Sequence, residues 1–256
     1  MKLQVLGCFG GQAPGFYLTS FLIEERYLID AGGACSSLSL EDQAHIDHIL
    51  LTHAHLDHIL SLFFIADNVL GRRQSPIAVY SIPYVINALR EHLLNNKIWP
   101  DFTRIPTPHS PTLSLKVMAE GSSYSIGELV FTPIAVNHSV PAVGYLVKGS
   151  SGSILYTGDT GPTEKIWKIA SSLKDLKAII AEVSFPNQLQ SIADLSGHLT
   201  PQGLHREIAK AGNLSSPVYV THLKPQFREE ICRELNPGHQ SKSRIEILEQ
   251  GRTYHF

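Results

Sequence analysis

Thr52-His53-Ala54-His55-Leu56-Asp57-His58-Ile59 places four residues of metal-ligand type, His53, His55, Asp57 and His58, within six positions. Imidazole and carboxylate suit zinc and the harder divalent ions. The stretch before them, His48-Ile49-Leu50-Leu51, is short, apolar and strand-like, and Ile59 to Ala66 is apolar enough and long enough for a buried helix. The ligands therefore fall where a strand hands over to a helix. In extended backbone, side chains two apart share a side, so His53 and His55 point together. Asp57 and His58, at the helix start, can face a second point in space. One segment can thus feed two adjacent cations. A surface loop that is merely His-rich is the alternative, and the rest of the chain decides between them.

Three more residues of the right chemistry stand at the ends of strand-like runs: His138, Asp159 and His222. His53, His55 and His138 would make one cation site, and Asp57, His58 and His222 the other, with Asp159 spanning both. Two cations about 3.5–4 Å apart clamp the attacking and leaving oxygens of an in-line displacement and bring a bridging water toward neutral pKa. Asp30, before Ala31-Gly32-Gly33, is either a turn former or a carboxylate that orients a ligand histidine. His198, in Leu195-Ser196-Gly197-His198-Leu199-Thr200-Pro201, is expected in a flexible approach to a helix N-terminus. There it could bind an anion or protonate a leaving oxygen, or simply be an exposed loop histidine. His45, His48, His92, His109, His205, His239 and His255 have no ligand context and are expected at the surface or in packing.

The elements must bring these positions together. The chain has 256 residues, 43% hydrophobic and 17% charged, which suits one large globular domain and argues against disorder. A net charge of −2 supplies no global basic field for nucleic acid or an anionic membrane. Cys8, Cys35 and Cys232 are odd in number and scattered, which fits a reducing compartment rather than a disulfide framework. The opening apolar run is too short for a signal peptide, and no stretch reaches the roughly 20 apolar residues of a membrane span. The cytoplasm is the expected location.

Strands are expected over Lys2 to Cys8, Tyr17 to Ile23, Arg26 to Asp30, Ile77 to Ser81, Leu113 to Val117, Glu128 to Val136, Val143 to Lys148 and Ile154 to Thr157. Lys177 to Val183, Pro217 to Thr221 and a run near Arg244 to Leu248 complete the strands. Helices are expected at Ser37 to Ala44, Ile82 to Asn95, Thr163 to Ala170, Thr200 to Lys210 and Pro225 to Leu235. Ser150-Ser151-Gly152 signals a hairpin, and Asp101 to Pro111 is a proline-rich loop. No linker or charge run divides the chain, so it reads as two β-sheets covered by helices in one layered domain.

His53-Ala54-His55-Leu56-Asp57-His58, with His138, Asp159 and His222, resembles the metallo-β-lactamase superfamily. Asn95 to Phe102 with its Trp-Pro-Asp-Phe, Thr157 to Pro162, Glu182 to Asn187, Gly197-His198-Leu199-Thr200-Pro201 and Thr221 to Pro225 narrow the resemblance to class II cyclic-nucleotide phosphodiesterases. It implies an α/β (α+β) class, a four-layer αββα sandwich of two mixed sheets, with an insertion around 81–111. It also implies two divalent ions, zinc first and manganese or iron as alternatives, and hydrolysis of cAMP or cGMP to the 5′-nucleotide by a metal-bridging hydroxide. Asp57, His198 and Glu182 are then assigned to the chemistry. His198 steadies the phosphate or protonates the departing 3′-oxygen, and Glu182 orients that imidazole. Where the family favours small or aliphatic residues after His58-Ile59, this chain has Phe63, Phe64, Ala66 and Asp67 on the following helix, which bears on packing more than on metal chemistry.

The partner expected is a small cyclic nucleotide, with no nucleic acid, no membrane and a homodimer as the protein partner considered. A tRNA 3′-processing endonuclease would use the same metals but needs a basic surface to grip RNA. A β-lactamase or thioester hydrolase leaves the phosphodiesterase-like segments unexplained. A metal-binding scaffold without turnover would be expected to have lost some of these residues, and none is missing.

Overall fold

Glu24 and Glu25 both adopt positive φ, at 46° and 60°, at the centre of a tight turn that the Arg26 N–H closes on the Ile23 carbonyl. They join Ser20–Ile23 to Tyr27–Ile29 and so start the first sheet. The computed structural model describes residues 1–212, 214–235 and 245–256. Its first sheet runs, edge to edge, Thr253–His255, Lys2–Gly7, Ser20–Ile23, Tyr27–Ile29, His48–Leu50, Ile77–Ser81 and Leu113–Val117. The second runs Ile245–Ile247, Val218–Thr221, Leu176–Glu182, Gly152–Tyr156, Val143–Gly149, Leu129–Ala135 and Tyr124–Ile126.

Each sheet is mixed in the same way. Three antiparallel pairings on one side give way to three parallel pairings on the other. The central parallel strands are largely buried; Leu176–Glu182, for instance, is buried at every position but Lys177. That is the pattern of strands covered on both faces.

The sheets pack face to face on one continuous core. Phe21 meets Tyr156 edge-on at 5.2 Å and Tyr27 meets Phe131 at 5.7 Å, so aromatic pairs from both sheets interdigitate. The buried Tyr145 hydroxyl donates across to the Leu51 carbonyl at 2.9 Å. Helix Leu56–Asn68 buries Ile59, Leu62, Ile65 and Ala66, and helices Lys165–Ser172 and Pro201–Lys210 bury Trp167 and Leu204. The result is a helix–sheet–sheet–helix sandwich.

Several elements differ from the sequence-based expectation. Gln190–Ser196 is helical, a helix not expected from the sequence, and it takes in Leu195 and Ser196 at the start of the approach expected to be flexible. Its Ile192 and Leu195 are exposed and only Ala193 is buried, so the segment carries no amphipathic signal. The strands Tyr124–Ile126 and Thr253–His255 also escaped notice, being three residues each and dependent on distant partners. The helix from Pro83 passes into a π-helical turn at Leu89–Leu93 and ends before Asn96, which has φ 60°. His239 and Arg244 lie outside the described residues. Among the described residues, no helix is long and apolar enough to cross a membrane.

The parallel strands fix where chemistry can happen. Tyr27–Ile29 delivers Asp30, His48–Leu50 delivers the His53–His58 turn, Gly152–Tyr156 delivers Asp159, and Val218–Thr221 delivers His222. The carboxyl ends of parallel strands are where open α/β sheets hold their ligands.

A candidate metal centre and its acid–base flank

His55 caps helix Leu56–Asn68 from extended backbone, at φ −67° and ψ 145°. The chain therefore turns from strand to helix inside the ligand motif. Asp57 lies in the first helical turn, where the helix dipole favours a carboxylate. His222 closes the site from the other sheet in a left-handed conformation, φ 66°, which a non-glycine residue adopts only when its surroundings hold it there. Its backbone N–H is held by the Cys8 carbonyl at 2.7 Å.

The residues meet in two sets. The ligand atoms of His53, His55 and His138 lie within 4.8 Å of one another, as do those of Asp57, His58, Asp159 and His222. Asp159 stands between the sets. Its Oδ2 lies 3.2 Å from His58 Nε2, 3.2 Å from His222 Nε2 and 3.7 Å from His53 Nε2. His55 Nδ1 and His138 Nε2 are 3.2 Å apart, and so are His58 Nε2 and His222 Nε2. Two ligands at about 2.0–2.1 Å from a tetrahedral zinc stand roughly 3.3 Å from each other. The spacing of these nitrogens is thus that of neighbouring corners around one cation.

Two further observations test the fit. His53 Nε2 and Asp159 Oδ1 are buried and without a hydrogen-bond partner in the protein, which is costly unless something is bound there. Two of the imidazoles have their other nitrogen committed. His138 Nδ1–H donates to the Gly197 carbonyl at 2.9 Å, and His58 Nδ1–H donates to Asp30 at 2.8 Å. In each case Nε2 is left to face the centre. The donor set holds nitrogen and oxygen with no thiolate, and it fits divalent zinc, manganese or iron.

Electrostatics agree with this division. Burial holds the pKa values of His53, His55 and His138 below the ordinary histidine value, so all three present lone pairs. Burial also disfavours the His58 imidazolium, but Asp159, Asp30 and Asp57 outweigh it and hold that pKa well above normal. Against the upward push of burial, His222 and His58 keep the Asp159 carboxyl far below its usual range, and His58 and His222 do the same for Asp57. A cation entering this second set would displace the His58 proton.

His198 stands beside the centre and is 7% exposed, which excludes the exposed loop histidine of the alternative reading. It follows helix Gln190–Ser196 through Gly197 at φ 71°. A Cβ there would come within 2.9 Å of Ser139 N, so only glycine allows the approach that brings His198 in. The His198 ring stacks on His222 with centroids 5.4 Å apart, and its Nδ1–H donates to Glu182 Oε1 at 2.8 Å. Glu182 is wholly buried. Burial lowers the His198 pKa, but Glu182 more than compensates and the net shift is upward.

Three supporting residues received no role from the sequence. Thr52 donates from both its backbone N–H and its hydroxyl to Asp30, and Tyr156 adds its hydroxyl at 3.1 Å. Ser184 contacts Glu182, His198 and His222 together. Strand alternation offered a faint signal for Ser184, since residues 182 and 184 fall on one side. Nothing local marks Tyr156. Cavities of about 270 Å³ beside Asn137, His138 and Asp194, and of about 360 Å³ beside Gly11, Phe16 and Pro225, flank the centre. A larger one of about 720 Å³ is lined by Arg26, His45, Asp47 and Arg73 and by none of the clustered site histidines.

Comparison with known proteins gives the chain relatives in sequence and in fold. The family described as a Beta-lactamase superfamily domain matches residues 25–223. A probable 3′,5′-cyclic-nucleotide phosphodiesterase of Yersinia pestis is 29% identical over all of this chain and 89% of its own length. A 3′,5′-cyclic-nucleotide phosphodiesterase of Schizosaccharomyces pombe is 26% identical over 91% of this chain and 75% of its own. The crystal structure of unliganded yeast PDE1 superposes with a TM-score of 0.83 and 20% identity, covering 98% of each chain, which is a likeness of fold.

Proposed function

The chain belongs to the Beta-lactamase superfamily, and from that membership we propose that it is a metal-dependent phosphodiesterase that opens the 3′,5′-cyclic phosphodiester of cAMP or cGMP to the 5′-nucleotide. The observation that carries the reading is the convergence of two ligand sets on Asp159, with a buried His198–Glu182 pair against the same centre. The relatives named for cyclic-nucleotide hydrolysis, matched over most or all of the chain, support the substrate class.

On this reading His53, His55 and His138 hold one cation, Asp57, His58 and His222 the other, and Asp159 serves both. When bound, two divalent ions, zinc in the first instance, supply the acidified water that attacks phosphorus and the charge that steadies the phosphoryl oxygens. The protein's own groups do the rest. Asp30 and the Gly197 carbonyl hold His58 and His138 in their ligating tautomers. Attack at phosphorus breaks its bond to the 3′-oxygen, which needs a proton as it leaves. His198 carries that proton at Nε2, because Nδ1–H is spent on Glu182 and the carboxylate favours the imidazolium.

The whole chain acts as one domain, and the segment 81–111 packs through Trp99 on Phe64 of the helix that follows the ligand motif, at 5.2 Å. No disulfide joins Cys8, Cys35 and Cys232 among the described residues, which supports a cytoplasmic location. A homodimer belongs to the same reading and is measurable by sedimentation. The test of activity is hydrolysis of bis-p-nitrophenyl phosphate with added zinc or manganese, followed by cAMP, cGMP and a cyclic dinucleotide. Turnover of the cyclic mononucleotides is expected. Failure of the metal-loaded protein to cleave any phosphodiester would overturn the proposal.

A further inference from the structure

Ser184 is wholly buried and stands between three groups of the site. Its Oγ lies 2.9 Å from Glu182 Oε2, 2.8 Å from His222 Nδ1 and 3.2 Å from His198 Nδ1. A hydroxyl has one proton to give and two lone pairs to accept with. Glu182 can only accept, so the Ser184 proton must point at Oε2. Any other arrangement would set a carboxylate oxygen against a hydroxyl oxygen with no hydrogen between them. The lone pairs of Ser184 then face His222, and that contact is favourable only when Nδ1 of His222 carries the hydrogen. Nε2 is then the nitrogen that faces Asp57 and Asp159, 3.3 and 3.2 Å away, and the one free to exchange a proton for a cation.

We propose that Ser184 is a positioning residue that transmits the Glu182 carboxylate to His222, fixing the tautomer in which His222 can bind a cation. Glu182 therefore serves two imidazoles. It accepts directly from His198 through Oε1 and acts on His222 through Oε2 and Ser184. The arrangement matches that of His58, which Asp30 holds directly, and of His138, which the Gly197 carbonyl holds. Among the described residues no carboxylate or carbonyl bonds His222 Nδ1, and Ser184 fills that place. The left-handed backbone of His222 makes the clamp more telling, because a strained residue keeps its geometry only where several contacts agree.

The inference rests on reading His222 as a cation ligand, and two measurements separate that premise from the role of Ser184. Zinc affinity is measured by competition with a chelating dye for the wild-type protein and for Ser184→Ala. The variant is expected to weaken one of two binding events by about 10–100-fold and leave the other unchanged. A general loss of packing would instead lower the melting temperature of the metal-free protein with no preference for one event. The second measurement needs no variant: nitrogen-15 NMR of the zinc-loaded wild-type side chains should show His222 protonated at Nδ1. Equal affinities for Ser184→Ala and wild type, or an Nε2–H tautomer of His222, would overturn the role of Ser184. A wild-type protein that binds no zinc would overturn the metal reading and this inference with it.

Discussion

His58 Nδ1 donates to Asp30 Oδ2 across 2.8 Å, and neither side chain is reached by solvent. Asp30 also accepts the backbone N–H and hydroxyl of Thr52 and the hydroxyl of Tyr156. Each oxygen of the carboxylate is thus occupied, from both sheets at once. Asp30→Asn keeps an acceptor for Thr52 but turns an amide donor toward the His58 N–H or the Tyr156 hydroxyl. The variant should fold and lose zinc affinity by about 10–100-fold, as read by dye competition. Unaltered affinity would show that Asp30 braces the sheets without orienting the ligand.

Much of this was readable in the chain, for a physical reason. His53, His55, Asp57 and His58 are adjacent, so strand alternation and a helix start suffice to place them in two groups. His138, Asp159 and His222 could be nominated because they end apolar strands. Ser184 and Tyr156 could not be assigned, since their roles depend on the distance between strands and sheets that no local pattern encodes. His198 was singled out for anion binding or proton transfer, but its burial was not legible. The helix Gln190–Ser196 before it buries only Ala193, so periodicity could not announce it, and with it went the constraint that buries the imidazole.

Asp159 is the single carboxylate between the two ligand sets, which sets it apart from every histidine. Asp159→Ala should abolish both zinc-binding events together with phosphodiesterase turnover. His53→Ala, by contrast, should spare the binding event that depends on Asp57, His58 and His222. Metal content after gel filtration distinguishes the outcomes. An Asp159→Ala protein that retains one tightly held ion would show that the sets are independent.

Gly32 controls the approach of the first sheet to the ligand helix. A Cβ at this position would fall 1.9 Å from the Asp57 carbonyl oxygen and 2.8 Å from Leu18 Cβ. Neither is the far end of a flexible side chain, so the helix start must move. Gly32→Ala should therefore lower the melting temperature and disturb the Asp57–His58 set, with zinc affinity falling at one site more than at the other. Circular dichroism and dye competition on the same preparation read both effects. Wild-type values in each would mean that the turn yields without moving Asp57.

His198 and Glu182 form the pair whose protonation should be visible in the rate. The His198 pKa is pushed down by burial but raised on balance by Glu182, so the imidazolium persists to higher pH than in an ordinary histidine. A group raised in the folded protein holds its favourable interaction at low pH and loses it as pH climbs through the folded value. If His198 donates the proton to the leaving oxygen, kcat should fall on the alkaline side as His198 deprotonates. Removing the charge with Glu182→Gln takes away the upward contribution, and the alkaline limb should move to lower pH. His198→Ala should keep both zinc ions and lose roughly 100–10,000-fold in kcat, with that limb gone. A pH–rate profile for the three proteins on cAMP decides the matter. An alkaline limb unmoved by Glu182→Gln, or zinc lost from His198→Ala, would assign His198 to holding the centre rather than to protonating the 3′-oxygen.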